Sequence, residues 1–326
     1  MGHSSYPSSV HITEEGPREG FQSEKAFIPT EDKVALINAL SLTGVQRIQV
    51  ASFVNPKKVP TMADAAAVVE GIIVRPTVEF SALWFNPRGL EMARSSGKLT
   101  LTGKINGYGS DAFLARNLGR TPEKQWAGVS ALLDEYAQYG IEVNRIGVTA
   151  AFGCNFEGEV PAGKVLGVID RGMSIAADRG LHIKEIGLSD TMGWANPAQI
   201  SHFVGTIQDR YPNVEISLHL HDTRGMGLAN AHMALSMSVT MFDTAIGGLG
   251  GCPFSGNEKA AGNICTLDLA HMCEELGITT GVDLEALSSC VAQAERIVGH
   301  PLPSKVAQSG TLNKHRRQVS AYGATV

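Results

Sequence analysis

The sequence predicts an α/β fold, a (β/α)8 TIM barrel carrying one extra helix near its C-terminal end. Strand-like and helix-like segments alternate along almost the whole chain, eight of each, as a closed parallel sheet with an outer ring of helices requires. Several helical segments open on capping residues or prolines, and many close on glycines. No Gly-x-Gly-x-x-Gly follows the first strand, which argues against the alternative of an open, doubly wound dinucleotide-binding sheet.

In chain order, strand 10–13 comes first, followed by helix 30–42, whose first turn reads Thr30-Glu31-Asp32-Lys33 and which stops before Gly44. Strand 47–51 leads to helix 62–71, and strand 78–83 to helix 87–95. Strand 99–106 precedes helix 122–139, which starts at Thr121-Pro122 and ends at Gly140. Strand 142–150 feeds helix 161–178, stopped by Gly180, and strand 183–188 feeds helix 197–211, opened by Asn196-Pro197. Strand 214–220 turns into helix 227–237, and strand 241–246 is followed by helix 266–276 with Gly277 behind it. Residues 283–298 read as one more amphipathic helix. Residues 1–9 are expected to be a flexible segment, 10–303 a single catalytic domain, and 304–326, which includes Lys314, His315, Arg316 and Arg317, a basic mobile tail.

Composition narrows the function classes. The 326 residues are 43% hydrophobic and 18% charged, an ordinary globular balance with ample core. A net charge of -5 offers no broad positive field for nucleic acid. No apolar run is long enough to span a bilayer, and MGHSSYPSS lacks the parts of a secretion signal. Five cysteines, odd in number and without a Cys-x-x-Cys, argue against a disulfide framework and fit a cytoplasmic protein. The helix beyond the barrel offers a face for a second copy, so a homodimer is expected.

A barrel of this type carries its chemistry at the carboxyl ends of its strands. Side chains alternate along a strand, so His219 and His221 in SLHLHD point the same way, placed to grip one divalent ion or else to hydrogen-bond within a polar barrel mouth. The first strand runs into Glu14-Glu15-Gly16-Pro17-Arg18-Glu19-Gly20, read as a tight turn that aims Arg18 and Glu19 over the mouth. Gln49 closes the second strand, Asp190-Thr191 follow the sixth, and a glycine-rich run through Gly247–Gly251 to Cys252 follows the eighth, ahead of Asn263. Each alone has a plain structural reading; their arrival at one face of one barrel favours a site.

From about residue 10 to residue 306 the chain resembles the 3-hydroxy-3-methylglutaryl-CoA (HMG-CoA) lyase family. The resemblance is carried by GPREGFQSEK (16–25), SFVNPKKVPTMAD (52–64), AFGCNFEG (151–158), LSDTMGWANP (188–197), HLHDTRGMGLAN (219–230) and GGLGGCPF with AAGN (247–263). It implies a divalent-metal-dependent lyase that cuts a C–C bond of a 3-hydroxy-acyl-CoA by retro-Claisen scission, giving an acyl-CoA, acetyl-CoA in the first instance, and a keto acid. By the family's pattern Glu19, His219, His221 and Asn263 hold the ion, Mg2+ or Mn2+. Arg18 would neutralise charge on the thioester oxygen, His219 or Asp190 would act as base, and Cys252 would protonate the enolate carbon from a mobile loop. Gln22, Lys25, Gln49 and Thr191 are expected to contact the acyl-CoA substrate, with no bound organic cofactor, nucleic acid or membrane.

Two positions depart from the family's usual wording. Glu19 stands where Asp is usual and reaches one methylene further; Gln49 stands where Glu is usual and removes a charge that would pair with or orient Arg18. The resemblance therefore carries the reaction class further than the exact substrate. Citramalyl-CoA is an alternative substrate, a Claisen-condensing acyl-CoA/2-oxo acid synthase an alternative activity, and a non-catalytic ligand-binding homologue a third.

Overall fold

Each barrel strand keeps one face for the helices and one for the barrel interior, and that division positions the site. The computed structural model describes residues 6–251, 260–313 and 315–316. Its barrel strands are β1 (His11–Glu14), β2 (Arg47–Ser52), β3 (Glu79–Leu83), β4 (Gly103–Tyr108), β5 (Val143–Thr149), β6 (Glu185–Ser189), β7 (Glu215–His219) and β8 (Met241–Thr244). All pair in parallel, in the order β3-β2-β1-β8-β7-β6-β5-β4. The first and last strands are thus neighbours, Ile12 opposite Phe242. That contact curls the sheet into the expected (β/α)8 barrel. The seam lies between β3 and β4, where the Thr100 amide donates to the Phe80 carbonyl at 2.7 Å.

Ile12, Ile48, Phe80, Ile105, Ile146, Ile186, Leu218 and Phe242 are all buried on the outer face, one from each strand. They pack beneath the helices and make the ring of core that a strand period of two allows. The intervening positions face the barrel interior, and there the chain is polar: Gln49, Lys104, Arg145, Glu185, Ser217, His219 and Asp243. Arg145 ties this interior together, 2.8 Å from Glu185, 3.6 Å from Asp243 and 3.0 Å from the Ser217 hydroxyl.

The helices are α1 (Thr30–Leu40), α2 (Ala65–Gly71), α3 (Pro87–Ser95), α4 (Asp111–Leu118), α5 (Pro122–Gln138), α6 (Ala162–Asp178), α7 (Pro197–Arg210), α8 (Gly227–Ser236), α9 (Thr266–Glu275), α10 (Leu284–Val298) and α11 (Lys305–Ser309). Thr121 caps α5, and Asn196 caps α7 in a reciprocal box with Gln199, as their sequence signals predict. Thr30 differs: it is already helical, and its hydroxyl donates to Asp64 instead of capping its own helix. Helix α4 was not among the expected elements, although Ser110 caps it and Gly119 ends it in a left-handed conformation. The two-residue strands of the hairpin Gly153–Cys154 and Gly158–Glu159 are too short to leave a periodic signal.

Residues 304–311 lie within the expected basic tail. Here Ser304, Val306 and Thr311 are buried, and Asp268 accepts hydrogen bonds from the Ser304 hydroxyl and the Lys305 and Val306 amides. At the other end, Ser9 bridges to Thr279. Among the described residues no helix is long and apolar enough to cross a membrane.

Candidate active site

The segment after β1 is not the tight turn expected but a single wide π-helical turn, Gly16–Gly20. Its amides at Arg18 and Glu19 both return to the Glu15 carbonyl. Pro17 suits the first turn because it lacks an amide hydrogen to satisfy. Gly16 is required by close approach, since a Cβ there would sit 2.6 Å from Glu14 Oε1 and 2.8 Å from Ile246. The turn projects Arg18 and Glu19 over the barrel mouth.

Strand β7 ends at His219, and Leu220 turns outward while His221 returns to the inner face. Asn263 is brought alongside by backbone pairing: the Ile264 amide donates to Leu220, the Asp222 amide donates to Gly262, and Asn263 bridges His221. Glu19 Oε1 lies 3.4 Å from His219 Nε2 and 3.3 Å from His221 Nε2, and the two imidazole nitrogens are 3.2 Å apart. An octahedral ion with ligands at about 2.0–2.1 Å separates neighbouring ligand atoms by about 3 Å, so this triangle has the size a divalent cation needs. Both side-chain polar atoms of Asn263 are buried without a protein partner, as is His221 Nδ1. Carboxylate, two imidazoles and an amide oxygen form a donor set suited to a hard or borderline divalent ion, so the residues present fit such a cation.

Electrostatics point the same way. Burial opposes ionisation of Glu19, but Arg18 and then His219 outweigh it and hold its carboxyl well below the usual range. Burial would lower the His219 pKa, yet Glu19, Asp243 and Glu15 hold it well above that of a free imidazole. The site attracts positive charge, and a bound cation would compete with that proton. His219 Nδ1 faces Glu15 at 3.4 Å and Asp243 at 3.6 Å, which directs a proton to Nδ1 and leaves Nε2 as the ligating atom. Glu15, His219 and Asp243 also lie close enough to form a metal-sized group. There, however, the Arg18 and Arg145 guanidiniums already face the two carboxylates, at 2.5 Å and 3.6 Å.

Arg18 is clamped by Glu15 at 2.5 Å and Glu19 at 2.6 Å, and its Nε is buried without a protein partner. Asp190 uses Oδ1 to accept the Trp194 and Ala195 amides; its Oδ2 is buried and unpartnered, and burial raises its pKa despite those two hydrogen bonds. Gln49 donates through Nε2 to Glu15 at 3.0 Å, leaving Oε1 buried without a partner, and Gln22 Oε1 is likewise buried and unpartnered. The Thr191 hydroxyl accepts the Ala150 amide at 3.0 Å, supporting a left-handed alanine at the end of β5. Lys25 is exposed. Cys252 lies outside the described residues.

Sequence reasoning missed Glu15, Asp243, Lys104 and Arg145. Glu15 and Asp243 complete the surroundings of Arg18 and His219. Burial, then Arg145, lowers the Lys104 pKa to about 8. The usable signal was parity, because Glu15 follows Ile12 and Glu14 by the odd step that turns a side chain inward.

Comparison with known proteins agrees with this architecture. The HMGL-like family model matches residues 9–293. The chain is 38% identical over 308 residues to the hydroxymethylglutaryl-CoA lyase YngG of Bacillus subtilis, covering 93% of this chain and 98% of that protein. It is 36% identical over 324 residues to the (R)-citramalyl-CoA lyase of Chloroflexus aurantiacus, covering 93% and 96%. Among solved structures, an HMG-CoA lyase from Acinetobacter baumannii in complex with coenzyme A and 3-methylmalate superposes with a TM-score of 0.84 at 34% identity, over 95% of this chain and 97% of that one.

Proposed function

This chain belongs to the HMGL-like family, and on that premise we propose that it cleaves a 3-hydroxy-acyl-CoA by retro-Claisen scission to acetyl-CoA and a keto acid. It is a carbon–carbon lyase acting on a CoA thioester, as its hydroxymethylglutaryl-CoA and citramalyl-CoA lyase relatives indicate. The observation that carries the finer reading is the pairing of a cation-sized triangle, Glu19, His219 and His221, with a buried unpaired Arg18 Nε beside it.

Mg2+ or Mn2+, bound by Glu19, His219, His221 and Asn263, would acidify the substrate's hydroxyl and hold it in place. Asp190 is the base we favour over His219. Its Oδ2 is unpartnered and its pKa raised, whereas both nitrogens of His219 already face carboxylates or ligands. Asp190 takes the hydroxyl proton, the C2–C3 bond breaks, and the electron pair passes into the enolate of the departing acyl-CoA. Arg18 Nε–H is available to donate to the thioester oxygen, where that negative charge collects. A proton returned to the enolate carbon completes acetyl-CoA; Cys252 is the proposed donor. Gln22 and Gln49 supply acceptors towards the substrate, with Lys25 and Thr191 at its margin.

A second substrate, (R)-citramalyl-CoA, is favoured by Glu19. That substrate carries its carboxylate one methylene closer to the reacting carbon than HMG-CoA does, and Glu reaches one methylene further than Asp. The accompanying reading is a cytoplasmic homodimer working as one catalytic domain; the described cysteines, all free and buried, suit a reducing compartment. Incubating Mg2+- or Mn2+-loaded protein with HMG-CoA, citramalyl-CoA and other 3-hydroxy-acyl-CoA thioesters tests the proposal. Release of acetyl-CoA with acetoacetate or pyruvate is the expected result, and no cleavage of any thioester overturns it.

A further inference from the structure

Two carboxylates clamp Arg18, and they do different work. Glu19 divides its oxygens: Oε2 is 2.6 Å from Arg18 Nη1, while Oε1 faces the two imidazoles. Glu15 takes the other end of the guanidinium, Oε2 lying 2.5 Å from Nη2. Its remaining oxygen accepts from Gln49 Nε2. An ionised carboxylate has no proton to give, so Gln49 must turn its amide nitrogen towards Glu15 and present its oxygen elsewhere. One negative charge is thus shared across a single hydrogen bond between the end of β1 and the middle of β2.

We propose that Glu15 is a positioning residue of this active site, and that Glu15 and Gln49 form an acid–amide pair whose one charge anchors Arg18 and leaves Glu19 Oε1 free for the cation. The site requires the charge at this hydrogen bond, and either strand can supply it. If Glu15 becomes neutral, Glu19 is the one described carboxylate left in direct contact with Arg18, with Asp243 acting on it only from further away, and Arg18 draws Glu19 away from the imidazoles. If Gln49 becomes an acid while Glu15 stays one, two carboxylates face each other across a hydrogen-bond distance and repel. Exchanging the two side chains restores one charge, one amide and the same number of atoms. The effect on turnover rests on the lyase reading; the effect on cation binding does not.

The test compares wild type, Glu15→Gln, Gln49→Glu and the exchanged double variant, measuring the Mn2+ dissociation constant by electron paramagnetic resonance together with kcat and KM. Each single variant is expected to weaken Mn2+ binding and lower kcat by about 10–100-fold, the range for groups that orient metal ligands, with KM changing less. The double variant is expected to regain most of both losses. Wild-type Mn2+ affinity and turnover in Glu15→Gln overturn the proposal, and so does a double variant no better than its parents. Should Glu15→Gln fail to fold, the exchanged protein decides alone: folded and binding Mn2+ like wild type supports the pair, unfolded or Mn2+-free overturns it. If wild type cleaves no thioester yet Mn2+ affinity follows this pattern, the lyase reading falls and the pair stands; cleavage by wild type without rescue has the opposite meaning.

Discussion

Glu14 and Glu15 are adjacent carboxylates with opposite surroundings, because a strand turns successive side chains to opposite faces. Glu14 points outward with Ile12, where Oε1 accepts the Gly16 and Ile246 amides and Oε2 the Thr266 hydroxyl, fixing the first and last loops to each other. Burial raises its pKa to about 7, the three hydrogen bonds opposing only part of that cost. A raised carboxyl pKa means the folded state holds its proton more tightly than the unfolded one. Stability from this group is therefore full below about pH 4.5 and is lost as the pH rises through about 7. Measured by urea unfolding, the difference between wild type and Glu14→Gln should shift against wild type by about 2 to 3 kcal/mol from pH 5 to pH 8. A difference that stays flat with pH would remove the effect. At this scale the His-x-His pattern by itself put both imidazoles on one face, while Glu19 as the third corner of the triangle was implied by the family resemblance and not by any local pattern. The sequence concealed Glu15, whose hydrogen bond to Gln49 crosses to β2, and Asp243, whose partners Arg145 and His219 stand on β5 and β7; it also read Gln49 as a lost charge without the neighbouring Glu15 carboxylate that the proposed pair relies on.

Elements were legible wherever a period and a terminator coincided. Helix α7 had both, an Asn-Pro start and an apolar repeat, and the structure gives it a full capping box. Helix α4 had only its ends, Ser110 and Gly119, around eight residues, too few for a period to stand out. Helix α11 illustrates a different limit. Five residues do not hold a helix by themselves, so its order comes from outside, from the Asp268 carboxylate that receives the Ser304 hydroxyl at 2.6 Å and two amides at 2.9 and 3.1 Å. Composition showed only a polar, basic end. Asp268→Ala removes a charged acceptor from three donors and should cost about 2 kcal/mol locally. The readout is amide hydrogen exchange: protection over residues 305–309 should fall while that of β1 and β8 remains. Unchanged protection would mean that Val306 and Thr311 packing holds the helix without the carboxylate.

At the scale of the whole molecule the barrel is closed by β1 against β8 and left unladdered between β3 and β4 among the described residues, an order no local pattern encodes. The proposed ligands straddle the closed side. Glu19 follows β1, the histidines end β7, and Asn263 lies beyond β8, held to the β7 segment by backbone pairing. A cation bound there joins parts of the chain that only the folded barrel brings together, so it binds the native state and not the unfolded one. Linkage then fixes the size of the effect: at a free ion concentration of about 100 times Kd the gain is about 2.7 kcal/mol. Unfolding entropy scales with length, and for 326 residues that gain corresponds to a rise in Tm of about 4 °C. Removing the ion with a chelator should reverse it. His221→Ala, which deletes one corner of the triangle, should abolish both the rise and Mn2+ retention after gel filtration, the rise being read against the variant's own metal-free melting temperature because His221 is buried. If wild type gains no stability from Mg2+ or Mn2+, or if His221→Ala retains Mn2+ as wild type does, the cation is not held at this rim and the ligand assignment fails.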